Sequence, residues 1–315
     1  MNQVSRLADL KVLVTGGGGF IGRHLCRRLC DEGCEVHATS REQKNIAGGG
    51  PVWWQANMAD LDTARRTIGA VKPDIIFHLA GAVGASPTLE LVLPTYQSLL
   101  TSTVNVLIAA TELGCRRVVL TGSFTSPVPG TIEPTPQSPY GAAKWAAAGY
   151  GRMFYSLYRT PVVILSPFMT YGPGQAVNKL IPSVTLALLR GEIPKLASGQ
   201  MSFDWVYIAD VIEGFVATAT VPRIEGKTIE LGSGSLVSVR AVIERLVDVA
   251  GSEVKPLFGA LLDRPGENQL AANTAVASEL LGWRATTSLD NGLRQTVEWF
   301  KAEAARGMDQ EFAPD

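Results

Sequence analysis

Lys11–Gly22 reads KVLVTGGGGFIG: an apolar, β-branched run, then Gly16, Gly17, Gly18 and Gly19, then Phe20, Ile21 and Gly22. The pattern predicts a strand, a sharp turn and a helix. Gly16 lets the chain turn at the strand end, Gly19 removes the side chain that would keep a pyrophosphate off the backbone, and Gly22 lets the helix pack close to the strand. The backbone N–H groups of Phe20, Ile21 and Gly22 then open a helix whose positive dipole end suits a phosphate. Glycine-rich turns are common, so the flanks carry the argument. Val12, Leu13 and Val14 give the strand, while Ile21, Leu25 and Leu29 give the helix. In that setting the turn reads as a dinucleotide-binding fingerprint rather than an ordinary strand-to-helix bend.

The bulk numbers suit such a fold. With 315 residues, 46% hydrophobic and 18% charged, the chain can bury one large core or two moderate ones. A formal net charge of -1 gives no reason to invoke nucleic acid or an anionic membrane surface. The first ten residues, MNQVSRLADL, lack a signal-peptide core, and no later apolar run reads as an uninterrupted bilayer span, so the expectation is a cytoplasmic protein. Cys26, Cys30 and Cys34 recur every fourth residue, and Cys115 lies far away. With His24, His37 and His78 on a helix and two strands and no paired CxxC, these are reduced structural thiols, and no metal site is expected.

Further strands are expected at Glu35–Ser40, Val52–Gln55, Ile75–Leu79, Arg117–Gly122, Val162–Ser166 and Thr228–Leu231, separated by helical patterns. Apolar on both faces, they imply a doubly wound parallel sheet of the Rossmann type, an α/β fold. One long helical stretch is expected from about Leu89 to Leu113 and another over Ser138–Tyr158. The second half, cut by Pro161, Pro167, Pro173, Pro182, Pro194 and Pro222, suggests a smaller substrate lobe. The expected division is a dinucleotide domain over 1–170, with 206–233 returning to it, and a substrate domain from 171–205 and 234–315.

The end of the second strand is where such folds read the adenosine ribose. An acid there would select NAD(H). This chain offers Thr39, Ser40 and Arg41, and a hydroxyl with a guanidinium can bond a 2′-phosphate, so NADP(H) is favoured, with NAD(H) possible. Asp60 is placed to bond an adenine amino group, and equally to cap a helix opening at Leu61. Leu79, Ala80 and Gly81, in HLAG, would let the cofactor lie against bare backbone.

Tyr140-Gly-Ala-Ala-Lys144 opens a helix behind Ser138 and Pro139. The spacing places phenol and ammonium one turn apart on one face. A free tyrosine titrates near ~10, and a neighbouring ammonium and an oxidised nicotinamide ring both favour its phenolate, which can then exchange a proton with a substrate oxygen. Ser123, at the end of the fifth strand, can bond the same oxygen, with Thr125 a second donor.

Together TGGGGFIG, Asp60-Leu61, HLAG, Ser123, YGAAK and the later YGPGQ at Tyr171–Gln175 resemble the extended short-chain dehydrogenase/reductase family, nearest to the nucleotide-sugar epimerases, dehydratases and reductases. The resemblance implies a Rossmann domain with a smaller C-terminal substrate domain. It also implies Gly16, Gly19 and Gly22 at the cofactor pyrophosphate and Ser123, Tyr140 and Lys144 as the catalytic set, Lys144 also bonding the nicotinamide ribose. Members similar to this chain pair as homodimers through the two long helices. Departures bear on the reaction. Family dehydratases carry an Asp-Glu pair after the hydroxyl residue, where this chain has Phe124 and Thr125, which disfavours dehydration. Phe203 and Met169 stand where the family commonly places an Arg and an Asn on the nucleotide diphosphate, and Leu99 where it places an Asn. Arg264, in DRPGEN, matches the other diphosphate arginine, and Lys179 could supplement it.

The leading expectation is an NADP(H)-dependent reductase of a nucleotide-linked keto-sugar, with Tyr140 the proton donor and Arg41 the basis of the preference. The alternative is a nucleotide-sugar 4-epimerase with tightly held NAD(P). A non-enzymatic dinucleotide sensor would be expected to lose Tyr140 or Lys144, and both are kept.

Overall fold

The computed structural model describes residues 7–44, 50–82, 84, 86–125, 134–263 and 269–306. The opening apolar run forms β1 (Lys11–Thr15), followed by β2 (Glu35–Ser40), β3 (Val52–Gln55), β4 (Ile75–His78), β5 (Arg117–Thr121) and β6 (Val162–Pro167). These and the later β10 (Thr228–Leu231) make one seven-stranded sheet in the order β10-β6-β5-β4-β1-β2-β3. From β6 to β3 each neighbouring pair runs parallel. The chain therefore leaves β1 first toward β2 and returns to its other side with β4. In open α/β sheets that reversal is where a ligand meets the carboxyl ends of the strands.

The helices α1 (Phe20–Asp31), α2 (Leu61–Val71) and α5 (Pro139–Tyr158) cover the sheet. Val106, Leu107 and Ala110 join Leu13, Ile68, Ile76, Val118 and Phe154 in the core on one face. The expected Leu89–Leu113 helix is continuous but not uniform. A 3₁₀ turn at Leu89–Leu91, a short helix α3 (Val92–Thr95) and a π-helical turn at Tyr96–Thr101 precede α4 (Ser102–Leu113). This stretch alone among the described residues is long and apolar enough to cross a bilayer by length and composition. Its inner face, with Leu99, Val106, Leu107 and the polar Ser102, Thr103 and Asn105 all buried, is that of a core helix.

Two compact units result. The first runs to Pro167 and takes in Ile212–Glu230 and Val276–Trp283, the last of these a stretch the sequence reading left with the substrate lobe. The second comprises Phe168–Val211, Leu231–Ala275 and the chain from Arg284. Its strands β7 (Met169–Tyr171), β9 (Ser202–Tyr207) and β11 (Leu236–Ser238) form a small sheet, and β8 (Lys195–Leu196) pairs with β12 (Leu257–Phe258). Buried Asp204 holds this unit's loops, accepting from the backbone N–H of Ser233, Gly234 and Ala272. The remaining helices are α6 (Leu180–Leu189), α7 (Ile208–Thr220), α8 (Val239–Ala250), α9 (Thr274–Leu281) and α10 (Leu289–Ala305).

Candidate active site

The glycine turn sits at the carboxyl end of β1. Gly16 adopts φ +70°, and a Cβ there would lie 2.8 Å from the Ala80 backbone, so the turn and the loop after β4 can touch only through a glycine. A Cβ on Gly22 would run into the Gly16 carbonyl, which fixes α1 close behind the turn. Gly17 N–H donates to the Thr39 carbonyl at 3.2 Å and ties the turn to β2. Gly19 is the N-cap of α1, and no side chain caps that helix. The Arg23 guanidinium reaches the Gly18 carbonyl at 3.5 Å, and the Lys44 stem lies over Gly18. An uncapped helix start flanked by two cations suits a diphosphate. Leu79, Ala80 and Gly81 follow β4 directly and are partly exposed beside this turn.

The strand ends beyond it are more open. Ser40 closes β2, its hydroxyl accepting from Glu42 N–H, and exposed Arg41 gives its carbonyl to the Gln55 amide. Asp60 takes the capping role: its carboxylate accepts from Thr63 N–H at 2.7 Å as Leu61 begins α2. The hydrogen bonds from Thr63 hold its pKa below the usual carboxylate value.

At the end of β5 the surroundings close in. Ser138 caps α5, accepting from Gly141 N–H at 3.1 Å, and Pro139 takes the first helical position. Tyr140 and Lys144 then project one turn apart, with the ammonium 6.0 Å from the ring centroid. Lys144 is buried, donates to the Thr121 carbonyl at 2.8 Å, and is pushed by burial from 10.5 down to about 8. Burial acts on Tyr140 the other way, raising its phenol, while a hydrogen bond from Ser123 pulls it part of the way back. Desolvation is the larger influence on the phenol, and the Ser123 hydrogen bond opposes it. Ser123 is itself buried, 2.8 Å from the Thr125 hydroxyl and accepting from Thr125 N–H.

Ser123, Thr125, Tyr140 and Lys144 thus meet in one corner, and Gly16, Gly19 and Gly22 in another with Ala80. Lys179 is the N-cap residue of α6 in the second unit, and Arg264 lies outside the described residues. Phe203 is buried in β9 with its ring 6.0 Å from that of Trp205, and Met169 opens β7. Among the described residues no three metal-ligating side chains gather. Cys26, Cys34 and Cys115 are buried with their thiols pushed up, to about 12 for Cys26, which makes them inert. The sequence pattern does not single out Lys44 and Arg23 at Gly18, since Lys44 sits in a loop and Arg23 reads as an ordinary charged residue of α1.

Residues 12–232 match the model of the NAD dependent epimerase/dehydratase family. The chain belongs to that family. It is an extended short-chain dehydrogenase/reductase enzyme with a Rossmann-type fold, as the motifs implied. The chain is 29% identical to a UDP-glucose 4-epimerase of Mycolicibacterium smegmatis, over 93% of this chain and 99% of the relative. It is 27% identical to a probable dTDP-glucose 4,6-dehydratase of Sinorhizobium fredii, over 92% of this chain and 93% of that one. The crystal structure of a Thermus thermophilus UDP-glucose 4-epimerase in complex with NAD superposes with a TM-score of 0.81 at 25% identity, covering 92% of this chain and 98% of that one.

Proposed function

We propose that this chain is a nucleotide-sugar 4-epimerase that keeps its nicotinamide cofactor bound through the turnover. The observation that carries the reading is the β5–α5 corner, where Ser123, Tyr140 and Lys144 converge in a buried site and no carboxylate follows Ser123. Water elimination needs an acid and a base on the sugar. Here Phe124 and Thr125 fill those positions, and the Thr125 hydroxyl is engaged with Ser123.

In this reading the N-terminus of α1 would hold the diphosphate of the dinucleotide through the backbone N–H groups of Phe20, Ile21 and Gly22, with Arg23 and Lys44 beside them. When bound, the dinucleotide supplies the acceptor and donor of a hydride. Tyr140 does the proton work: it takes the proton of the sugar hydroxyl and returns it when the hydroxyl re-forms on the opposite face. Ser123 orients that oxygen and, by its hydrogen bond to Tyr140, counters the rise that burial imposes on the phenol. Lys144 carries the positive charge of the corner, anchored by Thr121. Lys179 is the residue we assign to the nucleotide sugar, UDP-galactose, the 4-epimer of UDP-glucose, being the first substrate to try.

The reductase expected from Arg41 gives way here. The relatives named above are described as an epimerase and a dehydratase, and the Thermus epimerase holds NAD. Arg41 is exposed and gives its backbone carbonyl to Gln55. NAD is therefore the cofactor we assign. A second copy of the chain is the partner we assign to the outer faces of the Leu89–Leu113 stretch and of α5, where Leu89, Leu93, Tyr96, Tyr150 and Leu157 are exposed.

The test is to incubate the purified protein with UDP-galactose, follow the sugar by NMR and record absorbance of reduced nicotinamide. Epimerisation with a flat steady-state absorbance supports the reading. Stoichiometric consumption of NADPH with a keto-sugar would return the reductase.

A further inference from the structure

His78 is buried at the carboxyl end of β4, and the chemistry above gives it no task. Its ring is engaged on both sides. Nδ1 lies 2.7 Å from the Thr15 hydroxyl and Nε2 3.1 Å from the Thr103 hydroxyl, with Ser102 Oγ 3.5 Å from Nε2. The outer partners settle the direction of each bond. Thr103 donates to the Leu99 carbonyl at 2.6 Å, so its oxygen accepts from Nε2–H. Nδ1 is then the bare nitrogen and accepts from Thr15, whose oxygen in turn accepts from Ala80 N–H at 3.3 Å. A single directed chain runs from the Ala80 amide through Thr15, His78 and Thr103 to Leu99.

Each end of that chain is a part of the cofactor site. Thr15 is the residue before the Gly16 turn, and Ala80 is the backbone against which Gly16 packs. Leu99, in the π-helical turn, presses its side chain on Gly81, which sits at φ +144°. π-Helical turns cluster at functional sites because they re-aim a carbonyl and its side chain, and this one aims both at the loop after β4. A third link leaves from the backbone. The Thr121 hydroxyl donates to the His78 carbonyl at 3.1 Å, and the Thr121 carbonyl receives Lys144. Burial holds the His78 ring near pKa 3, so it stays neutral in this one tautomer. A protonated ring would turn a donor toward Thr15 and break the chain at its centre.

We propose that His78 is a positioning residue, which through Nδ1 and Thr15 sets the backbone of Leu79–Gly81 and of the Gly16 turn for the dinucleotide. An apolar side chain of similar volume would fill the space and leave the hydroxyls of Thr15 and Thr103 without their ring partner. Buried polar groups with every bond directed specify one arrangement where apolar packing permits several. The inference rests on the dinucleotide reading of the previous subsection.

The test compares His78→Ala, His78→Asn and the near-isosteric Thr15→Val. Calorimetry gives the dissociation constant for NAD, and hydrogen exchange gives the protection of the Ala80 amide in the protein without ligand. His78→Ala and Thr15→Val should each weaken NAD about tenfold, the loss of one well-made hydrogen bond, and speed Ala80 exchange. In His78→Asn the shorter side chain places a carbonyl oxygen where Nδ1 was but cannot reach Thr103. It should restore NAD affinity to within about threefold of the parent, even if the protein melts earlier. Folded His78→Ala with parental NAD affinity, or His78→Asn as weak as His78→Ala, overturns the proposal. If His78→Ala does not fold, Thr15→Val decides, and parental NAD affinity in that variant overturns it as well. A parent protein that binds no dinucleotide overturns the cofactor reading and this inference with it, an outcome distinct from variants that bind like the parent.

Discussion

The two ends of the face of the first unit that we assign to the dinucleotide are built on opposite physical plans. At the β5–α5 corner, Ser123 and Lys144 are each 8% exposed, and burial moves the lysine and the tyrosine titrations in opposite directions. At the ends of β2 and β3, Arg41 and Asp60 face water, and their contacts are local ones to Gln55 and Thr63. Charges in the first corner are weighted by low dielectric, whereas those in the second are screened. The closed corner should therefore govern rate and the open one only preference.

The sharpest way to break that contrast is Tyr140→Phe. It removes the group that moves the proton and should lower turnover by about 10³-fold or more, with NAD affinity near the parental value. Steady-state kinetics beside calorimetry checks it, and parental turnover would take Tyr140 out of the mechanism.

Lys144 supplies a test independent of activity. Its pKa falls on folding from 10.5 to about 8, so between those values the unfolded chain binds more protons than the folded one. Its cost is full below about pH 8 and is relieved as pH rises toward 10. The relief amounts to about 3 kcal/mol at 1.36 kcal/mol per pH unit. Stability should therefore gain a rising component from pH 8 to 10 that Lys144→Met lacks. Denaturant titrations across that window measure it, and parallel curves for the two proteins would contradict the burial assigned to Lys144.

Ser138→Ala asks how much of the corner depends on the start of α5. Loss of the cap should cost about 1 kcal/mol of stability and loosen Tyr140, two residues on, so turnover should drop more than NAD affinity. Stability without any change in turnover would mean that Tyr140 is held by other contacts. The smallest effect belongs to the open corner. Arg41→Ala should change NADH affinity by less than about twofold, as expected for a screened surface charge. It should weaken NADPH more than NADH, because a guanidinium can meet a 2′-phosphate. Equal losses for the two dinucleotides, measured by fluorescence titration, would remove Arg41 from cofactor choice.

Elements of the first unit follow their sequence patterns closely because each is set by local periodicity and short-range chemistry. Glu35–Ser40, Val52–Gln55 and Thr228–Leu231 are strands with the expected ends, and Ser138 caps α5 where the Ser-Pro pair places it. In the second unit, β9 escaped notice. Its SFDWVY alternates weakly and borrows its pairing from β7 and β11, far off in the chain. The π-helical turn at Tyr96–Thr101 was equally hidden, because its apolar spacing is that of an ordinary helix, and hydrogen bonds from Ser102 and Thr103 back to Ser98 and Leu99 only become visible in three dimensions.

From residue order alone came the sheet, the glycine turn, the tyrosine–lysine helix and the family, since each depends on groups within a turn or two of one another. Tertiary structure alone decided that Lys144 is buried against the Thr121 carbonyl and that His78 joins three strand ends. Those outcomes depend on which atoms exclude water from which, and residues 63 positions apart, such as Thr15 and His78, meet only when the sheet is closed.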